Sequence, residues 1–372
     1  MKKKNTRKLR TMQVFFISPY IHFDPMTASG NVVLARELAR CASKIAKVTV
    51  ITGITKGGYP DPISGSLACY RGLLEAVHKG INIAHLIDIP IPLLLIFYRR
   101  IALGGGKLIY HIWYNPMLNV KSWLYINMLK RFADIIACTS PQILEILSKV
   151  IDYEKLYLIP PPIDTDLYKP LTGIESSDDR PSILYMGSLH PSRFPLIEIF
   201  RAFKRLHEEG LEANLRVVGA PKHRFDSMVL LKLKRLSEKA NLEKYINVTY
   251  RRIPPSDRVK LFNKSDIVLF PFTTSVRDVV DPPITMLEAM SCGRIIVASK
   301  TLSISSIIKD EFNGFLCTSY KSEYIYKSIK RVIRTDSRMR NTIMTRARDT
   351  IQKLFSHTKM QDHLKKIYEK LS

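Results

Sequence analysis

A carboxylate inside an otherwise apolar helical stretch is the feature of this sequence that most needs a chemical explanation. Glu288 stands in ITMLEAMSCG among Ile284, Met286, Leu287, Ala289 and Met290, where a charge is costly unless a cation or a ligand's hydroxyls satisfy it. A ribose diol would do so, and an ion pair with Arg294 or another cation is the alternative. Just upstream, Asp281 precedes Pro282 and Pro283. The prolines have no N–H, so Ile284 and Thr285 supply the first amide donors of the helix, with the Thr285 hydroxyl beside them. Helix-start amides and the helix dipole suit an anion. A second polar group, MGSLHPSRFP, closes a strand pattern at Gly187 and carries Arg193, whose guanidinium can hold two phosphate oxygens at once. In the first half, Gly30 opens a helix after SPYIHFDPMTAS, and His111 lies at the end of KLIYHI. A glycine there admits a close backbone approach. The histidine is either a ligand contact or a core residue.

Other chemistries are missing. GGGKL at positions 104–108 lacks the spacing of a phosphate loop, and no H-E-x-x-H, G-x-S-x-G or G-x-G-x-x-G occurs. The five cysteines are scattered without a C-x-x-C pair, against both disulfides and a zinc site. No metal or other cofactor is expected.

The elements that must hold these residues form one repeating rhythm. Short β-branched runs alternate with amphipathic stretches, which predicts an α/β protein with parallel sheets. In the first half the strand candidates are 13–18, 47–53, 83–87, 107–112, 133–140 and 155–160; Ser140 and Pro141 read as cap and first residue of a helix. Periodicity lapses over 160–181, rich in Pro, Asp and Ser, and restarts at 182–187, 214–219, 245–250, 266–272 and 294–299. At 372 residues, 46% hydrophobic and 24% charged, the chain is long enough for two cores. We expect a basic tip at 1–10, an N-terminal Rossmann-like domain at 11–165, a linker at 166–180, a second such domain at 181–340, and C-terminal helices at 341–372 packing back toward the first domain. In such sheets ligands bind at the carboxyl ends of the strands, and two domains facing across a cleft suit a reaction that joins two substrates.

Charge narrows the partners. Lys and Arg number 58 against 33 Asp and Glu, a net +25, with six cations and no acid in the first ten residues. An anionic partner follows: phosphorylated small molecules, an acidic membrane surface or nucleic acid. The basic start has no signal-peptide core behind it, and the longest apolar run, 81–97, is broken by His85, Asp88, Pro90 and Pro92. A cytoplasmic protein, soluble or peripheral at the inner membrane face, is expected. The stretch 112–132 carries Trp113, Tyr114, Trp123, Tyr125, Met128, Leu129, Lys130 and Arg131, which fits a membrane interface or core packing.

The order of LEAMSCGRIIVAS, the Asn-Gly-Phe-Leu of SISSIIKDEFNGFL, ADIIACTS with YLIPPPIDTDLYKP, and SILYMGSLH resembles the family 4 retaining glycosyltransferases. The likeness runs from about Gln13 to the last helices. It implies the GT-B fold of two Rossmann-like domains and a nucleotide diphosphate sugar as donor, with a glycan or lipid-linked acceptor. By that resemblance Glu288 binds the ribose; Gly30, Gly187, Arg193 and the amides of Ile284 and Thr285 border the diphosphate; His111 and Asp281 contact the transferred hexose. The chain departs from the family pattern in three places. Val280 stands where a Glu is usual, eight residues before Glu288, leaving Asp281 as a substitute sugar contact or a mere helix cap. Ser188 replaces an Arg, and Arg193 occupies a Lys position; Arg251 and Arg252, where Gly is common, would compensate or are simply surface. The family's chemistry is a front-face substitution in which the leaving phosphate takes the acceptor's proton. Two readings compete: another GT-B activity such as an epimerase or phosphorylase, and a degenerate homologue acting as a basic membrane- or polyanion-binding module.

Overall fold

Continuous apolar runs bounded by helix-capping residues give strands buried on both faces, and this pattern builds two parallel sheets. The computed structural model describes residues 9–21, 30–53, 62–114, 120–174, 180–219, 226–273 and 281–372. Most of the basic tip, most of the segment before Gly30, and Val280 lie outside the described residues.

The first unit comprises residues up to 162, 278–282 and 355–372. It runs β1 (Gln13–Ser18), α1 (Gly30–Ser43), β2 (Lys47–Thr52), α2 (Pro62–Ala76), β3 (Ile83–Ile87), α3 (Ile91–Leu103), β4 (Lys107–Ile112), α4 (Val120–Phe132), β5 (Ile135–Cys138), α5 (Pro141–Ser148) and β6 (Leu156–Leu158). Its strands lie in the order β2-β1-β3-β4-β5-β6, all parallel. Alternate strand residues divide the sheet. Phe15, Ile17, Ala84, Leu86, Leu108 and Tyr110 pack with Leu73 of α2, Phe97 of α3, Leu129 of α4 and Leu147 of α5, while Phe16, His85 and His111 point to the opposite face. α5 starts as its sequence predicts: the Ser140 hydroxyl accepts from the Ile143 amide at 3.3 Å.

The second unit comprises 163–277 and 283–354. It continues with β7 (Ser182–Gly187), α6 (Leu196–Glu208), β8 (Asn214–Gly219), α7 (Asp226–Lys239), β9 (Ile246–Tyr250), α8 (Pro255–Asn263), β10 (Ile267–Phe270), α9 (Ile284–Ser291), β11 (Ile295–Ser299), α10 (Leu302–Ile307), β12 (Phe315–Cys317), α11 (Ser322–Arg334) and α12 (Ser337–Phe355). The order is β12-β11-β10-β7-β8-β9, again parallel. Ile183, Tyr185, Val217, Leu269 and Val297 pack against Phe203 of α6 and Ile329 of α11.

Two expected boundaries shift. The segment 166–180 is no free linker: Tyr168 is buried against Phe262 of α8, and the Thr165, Tyr168 and Ser291 carbonyls all accept from the Arg348 guanidinium. The cut at 340/341 would split α12, whose Ile343, Ala347 and Ile351 are buried. Only the last helix, α13 (His357–Leu371), belongs to the first unit. It packs on α1, where Glu37 accepts from Arg36 and Arg40 and sits 3.3 Å from Nε2 of His357. Burial would raise that carboxyl, but its bonds to His357 and Arg36 outweigh it and hold it at about 2. Among the described residues no helix is long and apolar enough to cross a membrane.

Candidate functional site

In a doubly wound sheet the strand order reverses at one point, and the crevice at the carboxyl ends there is where a ligand fits. Each unit has one. In the second sheet it lies between β7 and β10, because β7 is followed by β8 on one side and has β10 on the other. Gly187 ends β7 at this point, register-paired with Gly219 at the end of the neighbouring β8. A Cβ on Gly219 would come within 2.9 Å of the Leu189 side chain, and one on Gly187 within 3.2 Å of the Tyr185 hydroxyl, so a side chain at either position would have to displace a neighbour. Beyond Gly187 the turn is braced by the Tyr185 hydroxyl donating to the Ser188 carbonyl and by Phe194 packed on Tyr185, which places the half-buried Arg193 in the loop after β7. From β10 the chain enters α9 at Pro283, which has no side-chain cap. The Met286 and Leu287 amides both donate to the Pro283 carbonyl. Ile284 and Thr285 are thus the first-turn N–H groups with no intrahelical acceptor, as any helix start must leave.

Glu288 sits one turn further in, only 1% exposed. Its Oε2 accepts from Nη1 of Arg258 on α8 at 2.9 Å, and the Tyr168 hydroxyl is its second neighbour. The Arg258 guanidinium also lies over the Tyr168 ring, 5.5 Å from its centre. Burial first, then the Glu288 charge, raises the Tyr168 hydroxyl above its ordinary range and the Cys292 thiol to about 12. The ion-pair alternative for Glu288 is therefore what this structure contains, with Arg258 rather than Arg294 as the partner. Arg294 instead donates to the Cys292 carbonyl. Arg251 and Arg252 are both exposed beyond the edge strand β9, two strands from the β7 end, and do not replace the missing cation there.

In the first sheet the reversal falls between β1 and β3. Gly30 begins α1 beside it, and the next residue, Asn31, donates to Oδ2 of Asp88 at 2.9 Å. Asp88 follows β3 with φ +63°, a left-handed backbone uncommon outside glycine and one that marks stored strain. The Trp113 indole donates to its other oxygen. Burial raises the Asp88 carboxyl to about 6, the two hydrogen bonds only partly opposing it; such a group can accept a hydroxyl proton near neutral pH. In the sequence Asp88 reads only as a break in an apolar run. The signal that could have found it is an acid directly after a strand and two residues before Pro90.

Three expectations change. Asp281 is no helix cap, since Pro283 holds that position. It belongs to the first unit, where its Oδ2 accepts from the Ser140 hydroxyl at 3.1 Å and its N–H donates to the Trp113 carbonyl. His111 is a core residue, 1% exposed, with Nδ1 3.1 Å from Nε2 of the fully buried His85 and the rings stacked. Burial lowers it to about 3, the Ile159 backbone opposing, so it stays neutral and offers no surface to a sugar. Trp113 is tied to Asp88 and Leu129 is buried, which removes both from a membrane interface; the side chains of Trp123 and Tyr125 lie outside the described residues.

The raised Asp88 carboxyl makes a pH prediction. The fold favours its protonated form, so this group's contribution to stability is complete below about pH 4 and is lost as the pH rises through about 6. Asp88→Asn, which tolerates the left-handed backbone, should remove that slope, on the order of 1–3 kcal/mol across the window. Urea titrations of both proteins from pH 4 to 7 measure it as a difference, in which Glu37 cancels. Parallel curves would show that Asp88 titrates at its ordinary value.

The comparisons with known proteins agree with this architecture. Residues 173–350, just under half of the chain, match the family model described as glycosyl transferases group 1. A search of curated proteins finds no match. Among solved structures, a glycosyltransferase from Rickettsia africae superposes with a TM-score of 0.80 at 16% identity, covering 97% of this chain and 98% of that one. The Anabaena Alr3699/HepE protein in complex with UDP gives 0.75 at 16% identity, over 97% and 100%. Sucrose-phosphate synthase from Thermosynechococcus elongatus gives 0.72 at 17% identity, over 97% and 99%. The chain has the GT-B fold, and its second unit is the part that matches the group 1 glycosyl transferases.

Proposed function

We propose that this chain is a retaining glycosyltransferase that moves a hexose from a UDP-linked donor to a glycan or lipid-linked acceptor. The observation that carries the reading is the reversal point of the second sheet, which falls within the matched residues. There, Gly187 and Arg193 follow β7, and the first-turn amides of Ile284 and Thr285 follow β10, the two strands that flank the crevice. Those groups suit a diphosphate: amides and a helix dipole for its oxygens, a guanidinium for the charge that grows as it departs. The Anabaena protein crystallised with UDP and with UDP-glucose supports uridine as the first base to test. Asp281 is assigned the sugar hydroxyls. Glu288, held by Arg258, fixes α9 in place and is assigned the ribose hydroxyls. Asp88 is assigned to the acceptor side.

The test is a thermal-shift panel of UDP-, GDP- and ADP-sugars. A donor at about 100 times its dissociation constant adds about 2.7 kcal/mol to the state that binds it, seen as a rise of several degrees with UDP-glucose and less with the others. One observation favours a second reading, a homologue that has lost donor binding: Glu288 already has its counter-ion. That reading gains if no nucleotide sugar shifts the melting curve and none is hydrolysed, and the proposed one then fails.

A further inference from the structure

The solvent side of α2 and α3 carries large apolar side chains in the company of arginines. On α2, Ile63 is 59% and Leu67 44% exposed, followed at the same four-residue spacing by the exposed Arg71. On α3, Leu95 is 48% and Leu103 72% exposed, with the exposed Arg99 midway between them and Ile96 alongside. Four-residue spacing puts each set on one stripe of its helix. The opposite sides of both helices, Cys69 and Leu73 on one and Leu94, Phe97 and Ile101 on the other, enter the same core on the same face of the first sheet. The two stripes therefore face outward together from neighbouring helices. A soluble surface gains nothing from leucines exposed in a row beside guanidinium groups, whereas a lipid interface accepts both, the apolar tips among acyl chains and the cations among headgroups.

We infer that the outer face of α2 and α3 docks on an anionic lipid bilayer. Charge selects this occupant over a second copy of the chain. α3 has no acidic residue, and Glu75 is the only acid on α2; a copy of a chain with net charge +25 offers repulsion rather than complement. The inference stands apart from the donor chemistry, so it survives if no nucleotide sugar binds.

Co-sedimentation with large unilamellar vesicles tests it, comparing phosphatidylcholine alone with phosphatidylcholine containing about 30% phosphatidylglycerol, a strongly anionic surface. The wild-type chain should bind the anionic vesicles at least ten-fold more tightly, and less so at high salt. The triple variant Leu67→Glu, Leu95→Glu, Leu103→Glu should lose at least ten-fold of that binding with an unchanged melting temperature, since all three side chains are already exposed. Arg71→Ser and Arg99→Ser should each lose roughly five-fold. Undiminished binding by the triple variant overturns the inference by moving the contact elsewhere on the chain. So does a wild-type dimer in light scattering that the triple variant abolishes, which would make the face a self-association surface. A triple variant that melts early is replaced by Leu103→Glu alone, at the most exposed position, read by the same vesicles.

Discussion

Replacing Glu288 by alanine is expected to destabilise the second unit by about 3–5 kcal/mol, because it leaves Arg258 buried without a counter-ion. Were Glu288 only a ribose contact, the same change would leave a folded protein that has lost transfer; the Arg258 partnership is what adds the loss of stability. Denaturant unfolding followed by far-UV circular dichroism measures the loss. The double variant Arg258→Met, Glu288→Leu then separates structure from ligand contact, since a buried pair replaced by apolar groups of similar size is often neutral or better. If the double variant regains stability and still binds UDP-glucose, Glu288 serves only to hold α9. If it regains stability but not binding, the carboxylate also holds the ribose. A single alanine variant as stable as the wild type would show that the ion pair contributes nothing and that α9 is held in place by other contacts.

The second large effect is on turnover. Arg193→Ala should lower kcat for transfer or donor hydrolysis by about 10²–10³-fold, the range found when one preorganised group facing developing charge is removed. Stability should hardly change, because Tyr185 and Phe194 still brace the loop and Arg193 itself is only half-buried. With an ammonium in place of a planar fork, Arg193→Lys should recover part of the rate but not all of it. A kcat within two-fold of wild type in the alanine variant would remove Arg193 from the diphosphate site.

Much of the fold was legible because parallel strands covered on both faces are written as unbroken apolar runs. Gln13–Ser18, Lys107–Ile112, Ser182–Gly187 and Asn214–Gly219 fall where those runs predict them. The Ser140 cap was legible for a local reason, since a cap is a contact three residues long. The three-residue β12 was not, for so short a run has no periodicity to detect. The domain edges missed by about fourteen residues at α12, because a helix that straddles the edge of a unit keeps its 3.6-residue pattern on both sides of it.

The candidate residues divide in the same way. Gly187, Ile284 and Thr285 lie at a strand end or helix start that local order alone places at a carboxyl edge, whereas Arg193 is named through the family resemblance. What could not be read were the partners. Arg258 lies thirty residues from Glu288, Asp88 lies fifty-seven from Asn31, and Asp281 lies 141 from Ser140. His111 sits at the expected strand end, yet the side-chain alternation of the sheet turns it onto His85, which in turn stacks on Phe16. The chain order by itself determined two alternating α/β halves and the edge of each at which ligand groups would gather, because hydrophobic period and helix capping act over a few residues. Only the tertiary structure decided which charges are satisfied inside the protein and which carboxyl burial holds above its ordinary range, because burial and ion pairing depend on side chains brought together from distant parts of the chain.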